Sequence, residues 1–256
     1  MIYFKTDGNS KSKRLLVCIH GLTATHLMFE DLIKELNIED LFIISPDLRG
    51  CGASIDIWGE FTINESVDDI KEILDLYENR KVILLGYSQG GTIAQLLAKT
   101  FPDRVSGLIL CNTYAYNIAT FREKIEAYMT LLIFHLFNLK TISNLLTRVI
   151  EKEKKISSKK IEDFRQMVRT NKKKALIAYA KQLITFDSRS WLNEIKQPTL
   201  IIRGQNDVAV PVHHTNMLSN AIPNSRTIIV ENAGHAMIWS HTKQLAKVIN
   251  GNFISK

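Results

Sequence analysis

Short, nearly continuous apolar runs alternate along this chain with longer stretches in which apolar residues recur every three or four positions. The runs lie near 15 to 19, 41 to 45, 82 to 86, 107 to 111, 199 to 203 and 226 to 230 and are rich in Leu, Ile and Val, the pattern of strands buried on both faces. Between them, segments near 29 to 36, 65 to 77, 89 to 100, 213 to 220 and 241 to 250 carry helical spacing. This alternation predicts an α/β fold with a mostly parallel central sheet flanked by helices. An additional hairpin strand is expected near 2 to 5, and no internal repeat or low-complexity segment interrupts the pattern.

The alternation breaks between Tyr114 and Trp191, where strand signals vanish and helical periodicity dominates. The expected organisation is a core in two parts, 1–114 and 191–256, with a helical cap inserted at 115–190. Within the insertion, the run Ala127 to Phe137 is apolar almost all round but too short to cross a bilayer. Such a helix is buried, lines an apolar pocket or lies against lipid. In the pocket reading, Met129, Leu132, Ile133 and Leu136 are the candidate lining residues. A lid of this kind would exclude water and set substrate choice.

The chemistry concentrates at strand ends. Gly86-Tyr87-Ser88-Gln89-Gly90-Gly91 joins the run Val82 to Leu85 to the helical segment Thr92 to Ala98, so the G-x-S-x-G pattern falls where a nucleophile elbow would. A serine there stands at the positive end of a helix, and its flanking positions favour glycine because the turn is tight. The bare pattern also fits an ordinary strand–helix turn. A serine hydroxyl attacks carbonyls only when a base takes its proton and a carboxylate orients that base. Two later strand ends offer them: Asp207 closes the turn after Pro198 to Arg203, and His235 lies in the loop after Arg226 to Val230. Taken singly, Asp207 also reads as a helix cap and His235 as a solvated loop residue.

Stabilising a tetrahedral oxyanion needs main-chain donors after the nucleophile and in an early strand–helix loop. The Gln89 N–H supplies the first, and the Leu22 N–H in His20-Gly21-Leu22-Thr23 is the candidate for the second. His20 is expected to brace that loop by a hydrogen bond rather than to act as a base.

In order and spacing, His20-Gly21, the loop Pro46 to Ser54, the Ser88 elbow and Gly234-His235 resemble the α/β-hydrolase superfamily over most of the chain. The resemblance implies the α/β-hydrolase fold, a Ser88–Asp207–His235 triad and a structural role for Asp47, Arg49 and Ser54. Haloalkane dehalogenases and epoxide hydrolases of that fold use aspartate where this chain has Ser88, which disfavours their chemistry. The arrangement is also similar to the carrier-protein methyl ester esterases of biotin synthesis, whose basic helical cap receives an acidic acyl carrier protein.

Charge sharpens the picture of the insertion. Residues 115–190 hold 16 Lys+Arg and 7 Asp+Glu, so the cap carries +9 and the remainder −2. The excess gathers in Lys152, Lys154, Lys155, Lys159, Lys160, Arg165, Arg169, Lys172, Lys173 and Lys174. It reads as a solvated lysine-rich surface or as a docking surface for an anionic partner. Nucleic acid is disfavoured because aromatic residues are not interleaved with the basic ones.

The three cysteines, Cys18, Cys51 and Cys111, are dispersed and read as reduced thiols. His213-His214 is the one pair that invites a metal, yet helix neighbours point apart and no nearby sequence pattern adds a ligand, so no metal or other cofactor is expected. The amino end shows no secretory signal, and a cytoplasmic location is expected.

The expected activity is a serine hydrolase that cleaves carboxylic esters of short to medium apolar acyl chains through an acyl-enzyme. The alternatives are a methyl ester esterase docking an acidic carrier protein on the basic cap, or a lyase, perhydrolase or ligand receptor on the same scaffold. Membrane association through the basic cap and its apolar helix is not expected.

Overall fold

Strands form at each expected apolar run and at one polar amino-terminal segment: β1 (Phe4–Gly8), β2 (Arg14–Ile19), β3 (Phe42–Pro46), β4 (Lys81–Tyr87), β5 (Val105–Cys111), β6 (Thr199–Gly204) and β7 (Ser225–Val230). The computed structural model describes residues 1–116, 118–151, 153 and 155–254. Its strands make one seven-stranded sheet in the order β1-β3-β2-β4-β5-β6-β7. All neighbours are parallel except β1, which runs antiparallel to β3. The amino-terminal strand thus starts two residues later than expected and does not form a hairpin with β2. Both edges of β2 are taken by β3 and β4, which leaves the outer edge of β3 for β1.

The helices are α1 (Glu30–Glu35), α2 (Ile63–Asp75), α3 (Gln89–Thr100), α4 (Phe121–Leu136), α5 (Leu139–Ile150), α6 (Ser158–Arg169), α7 (Lys173–Thr185), α8 (Val212–Ala221), α9 (Met237–Ser240) and α10 (Thr242–Ile249). Successive strand residues point to opposite faces, so Leu15, Val17, Ile19, Val82 and Leu84 join the layer containing α2, α3 and α8. Leu16, Cys18, Ile83 and Leu85 join the layer containing α1 and α10. All nine of these strand residues are buried, which explains why the sequence shows runs rather than alternation.

The starts of the inserted helices are written in local chemistry. Thr120 and Glu123 form a capping box on α4, Asn138 caps α5 and Ser157 caps α6, each occupying amide donors that the first helical turn leaves free. The insertion lies over the carboxyl ends of β2 and β3. There Asn171 Nδ2 donates to the Thr23 carbonyl over 2.9 Å, the Lys172 N–H to the Gly50 carbonyl over 2.7 Å, and the Tyr179 hydroxyl to the Arg49 carbonyl over 3.2 Å.

Helix α4 differs from the expectation of burial. Only Glu123 and Phe134 are buried, while Phe121, Ile125, Tyr128, Met129, Leu132 and Leu136 are exposed. An apolar sequence does not specify which face meets the core when one neighbour, chiefly α7, packs against it. Among the described residues no helix is long and apolar enough to cross a membrane.

Much of the basic surface is already engaged. Lys160 pairs with Asp31 at 2.7 Å, Arg165 with Glu151 at 2.9 Å, and Lys172 lies over the Trp58 ring. Lys152 and Lys154 lie outside the described residues.

Candidate active site

Ser88 sits between β4 and α3 with φ 53° and ψ −119°, a backbone conformation that costs a non-glycine residue on the order of 1–3 kcal/mol. Surrounding bonds fix it there: the Ser88 N–H donates to the Cys111 carbonyl, and the Ser88 carbonyl accepts from the Gly91 N–H, both over 2.9 Å. Thr113 Oγ1 donates to the same carbonyl over 2.6 Å. The flanking glycines answer to close approach, since a Cβ on Gly86 would overlap the Gly90 carbonyl and one on Gly90 would overlap the Ile19 carbonyl. Strand β2 therefore runs against the turn, which is possible only without side chains at those positions.

This contact brings the early loop to the serine. A Cβ on Gly21 would stand 3.2 Å from Ser88 Cβ and 3.8 Å from its Oγ, so the His20–Thr23 loop that carries Leu22 lies beside the hydroxyl. Gln89 is the first residue of α3, and its N–H has no acceptor within the helix. His20 is fully engaged: Nδ1 donates to the Gly21 carbonyl over 2.9 Å, and Nε2 accepts the Leu48 N–H over 3.0 Å. Burial lowers its pKa. Both nitrogens serve the loop, as the sequence suggests.

Asp207 and His235 come together although 28 residues separate them. Asp207 Oδ2 accepts from His235 Nδ1 over 2.9 Å, while Oδ1 accepts the Ala209 and Val210 N–H groups, each over 2.9 Å. The carboxylate is thus saturated and buried, and it does not cap α8, whose N-cap is Pro211. Burial pushes the His235 pKa down, but the charge and hydrogen bond of Asp207 outweigh it and the value is raised. The ring is held with Nε2 as the free nitrogen, and its side chain remains 30% exposed. Ser88 is half-buried and is not hydrogen-bonded to the ring in this conformation; such bonds often tighten only when substrate is bound.

Three supporting residues escape the sequence reading. Asn112, with φ 44°, sits just beyond β5 and binds both later loops: Oδ1 accepts the Gly204 N–H over 2.9 Å, and Nδ2 donates to the Gly234 and His235 carbonyls, each over 3.1 Å. The Tyr87 hydroxyl donates to the His235 carbonyl over 2.5 Å. Glu153, reaching down from the insertion, accepts the Ala236 N–H over 2.7 Å and the Ser240 hydroxyl over 3.2 Å. Asn112 had a faint signal, a polar residue directly after a buried strand. Glu153 had none, because it is one of two acids alternating with lysines at 151–155.

The four candidate pocket residues lie on one side of α4, at helical spacing, and that side is largely exposed. Met129 and Leu132 are about half exposed at 49% and 46%, Leu136 is exposed at 67%, and Ile133 alone packs inward against the apolar layer. Asp47, Arg49 and Ser54 make internal contacts: Asp47 accepts from His26 and Ala53, Arg49 pairs with Asp69 at 2.6 Å, and Ser54 accepts the Tyr3 N–H. Among the described residues, Glu123, His213 and His214 form the cluster with metal-ligating side chains.

Among proteins of known sequence, the chain is 27% identical to the AB hydrolase superfamily protein YisY of Bacillus subtilis, over 92% of this chain and 90% of that protein. It is 26% identical to a pimeloyl-[acyl-carrier protein] methyl ester esterase of Nitrosomonas europaea, over 95% of this chain and 96% of the relative. Among solved structures, the esterase EaEST of Exiguobacterium antarcticum superposes with a TM-score of 0.90, at 23% identity, over 100% of this chain and 96% of that one, a likeness of fold. The sheet order, the inserted helices and the match of residues 14–242 to the alpha/beta hydrolase fold together make this chain a member of the α/β-hydrolase family.

Proposed function

We propose that this hydrolase-family enzyme cleaves carboxylic esters with Ser88 as nucleophile, His235 as general base and Asp207 as the group that orients it. The observation that carries the reading is the 2.9 Å Asp207–His235 hydrogen bond in a molecule whose Ser88 occupies a strained strand–helix turn. Such strain is tolerated where a hydroxyl must be presented.

In this mechanism His235 Nε2 takes the Ser88 proton as Oγ attacks the ester carbonyl carbon. The carbonyl π pair moves onto oxygen, where the Leu22 and Gln89 N–H groups receive it. Collapse of the tetrahedral species breaks the carbon–oxygen bond, and the proton held by His235 goes to the departing alcohol. Water then repeats the sequence on the acyl-enzyme, returning Ser88 and releasing the acid. The inserted helices 115–190 serve as the lid, and the preferred acyl group is apolar and short to medium in length, packed on the inward side of α4 at Ile133.

A second reading is favoured by a specific likeness. Relatives named as pimeloyl-[acyl-carrier protein] methyl ester esterases are 26–28% identical over most of their length, and the net charge of +9 on residues 115–190 suits an acidic carrier. In that case the same triad would act on a methyl ester presented by a protein.

Hydrolysis of a p-nitrophenyl ester series from acetate to dodecanoate, with Ser88→Ala as control, tests the main reading. Turnover that disappears in the variant supports it. A folded protein that turns over no free ester, but cleaves a carrier-linked methyl ester, moves the assignment to the second.

A further inference from the structure

Helix neighbours His213 and His214 were not expected to face one ligand, yet the fold supplies a carboxylate that the local sequence lacks. Glu123, in the first turn of α4, approaches His213 Nε2 at 2.8 Å and His214 Nε2 at 3.3 Å, in both cases through Oε1. The two rings stand 4.2 Å apart between centroids, and one ligand atom from each of the three residues lies within 4.8 Å of the others.

Two observations distinguish this cluster from an ordinary ion pair. Glu123 Oε2 is committed, accepting the Ala119 and Thr120 N–H groups over 2.7 and 2.8 Å, so the carboxylate is locked with Oε1 turned toward the histidines. Yet Oε1 and the His213 Nε2 that faces it are both buried and without a hydrogen-bond partner. Buried polar atoms are nearly always satisfied, and an orphaned group asks for a water or an ion. Two that face each other, with the His214 ring beside them, ask for a cation.

The geometry points to a transition-metal site of the zinc class formed by Glu123, His213 and His214. Zinc bonds to imidazole nitrogen and carboxylate oxygen at about 2.0–2.2 Å. At that radius the observed separations of 2.8 and 3.3 Å correspond to ligand–metal–ligand angles of roughly 85° and 110°. A two-nitrogen, one-oxygen set suits zinc, cobalt or nickel and not magnesium or calcium, which take oxygen ligands.

The protonation states agree. His214 is 2% exposed, and burial, with His213 beside it, lowers its pKa to about 4, leaving a neutral ring. Burial pushes Glu123 up, but the Ala119 and Thr120 amides and the two rings hold its carboxyl below the ordinary value.

The position gives the ion a consequence. Glu123 opens the inserted helices, whereas His213 and His214 open α8, directly after the loop that follows Asp207. A cleft of about 330 Å³ between them is lined by Glu123, His213, Asp207 and Val208, so solvent and the ion reach the site without passing Ser88. A bound metal would tie the insertion to the segment behind the candidate triad carboxylate.

Titration of the untagged, metal-free protein with zinc chloride, by calorimetry and by thermal melting, tests the site. One zinc per chain is expected, with a raised melting midpoint and no comparable shift from magnesium chloride. His213→Ala, at a partly exposed position, keeps the fold by circular dichroism and weakens zinc binding at least tenfold. Glu123→Gln retains an acceptor for the capping box while removing the charge, and weakens it similarly. Absence of zinc binding overturns the site, as does binding that both folded variants retain or a midpoint that magnesium raises equally.

Discussion

Asn112 Nδ2 donates to the His235 carbonyl over 3.1 Å, although the two residues are 123 positions apart. The same side chain accepts the Gly204 N–H through Oδ1, so one amide at the end of β5 sets the spacing of the loops that carry Asp207 and His235. Asn112→Ala leaves several buried backbone groups unpaired, each costing about 1–3 kcal/mol. A destabilisation of at least roughly 2 kcal/mol is expected by urea unfolding. Ester turnover should fall further than KM rises, because the imidazole is displaced more than the substrate.

Strain at Ser88 separates two inactive variants. Ser88→Ala and Ser88→Gly both remove the hydroxyl and are expected to abolish turnover. Only glycine relaxes φ 53°, so Ser88→Gly should be roughly 1 kcal/mol more stable than Ser88→Ala, the relief of strain exceeding the added chain entropy. Equal melting midpoints would remove strain from the account of the elbow.

His235 must be neutral to take a proton, so activity rises with pH through a pKa that Asp207 holds above the ordinary histidine value. Asp207→Asn should move that inflection to lower pH and reduce kcat by up to about four orders of magnitude. In stability the sign is opposite. A raised folded pKa contributes stabilisation below the unfolded value near 6.5, and that contribution is lost as pH rises through the folded value.

For His214 the folded pKa is lowered, from 6.5 to about 4. Its contribution is therefore present above 6.5 and is lost as pH falls toward 4. Melting midpoints of the metal-free protein should decline over that window, and His214→Gln should flatten the decline. An unchanged slope would show that other groups govern the acid limb.

Exposed and partly buried positions of α4 should respond differently. Met129→Ser and Leu132→Ser alter positions that are 49% and 46% exposed, and each is expected to change stability by less than about 0.5 kcal/mol without moving the acyl-length optimum. Ile133 packs inward. Ile133→Ser should blunt the preference for longer chains, which is worth about 0.8 kcal/mol per buried methylene. Relative kcat/KM across the p-nitrophenyl series measures both.

The β-strands, the elbow and the order Ser88, Asp207, His235 were legible because each is encoded locally. A strand buried on both faces needs a continuous apolar run, a tight strand–helix turn needs Gly86 and Gly90, and a side chain presented above a parallel sheet must follow a strand. The inserted helices were legible as helices from Thr120, Asn138 and Ser157 with their periodicity, but not in their facing.

What the sequence by itself determined is the set of contacts made within one turn or between periodic neighbours: strand and helix identity, caps, and the glycines that let β2 approach β4 at the elbow. Tertiary structure alone decided which side of α4 meets the core, that Asn112 joins two distant loops, that Glu153 reaches Ala236, and that Glu123 faces both His213 and His214. Those partners lie 92 to 123 positions apart for Asn112, 83 for Glu153, and near 90 for Glu123. Hydrogen bonds and ion contacts depend on direction and on distances of about 3 Å, and such distances exist only once the sheet has set where each strand ends.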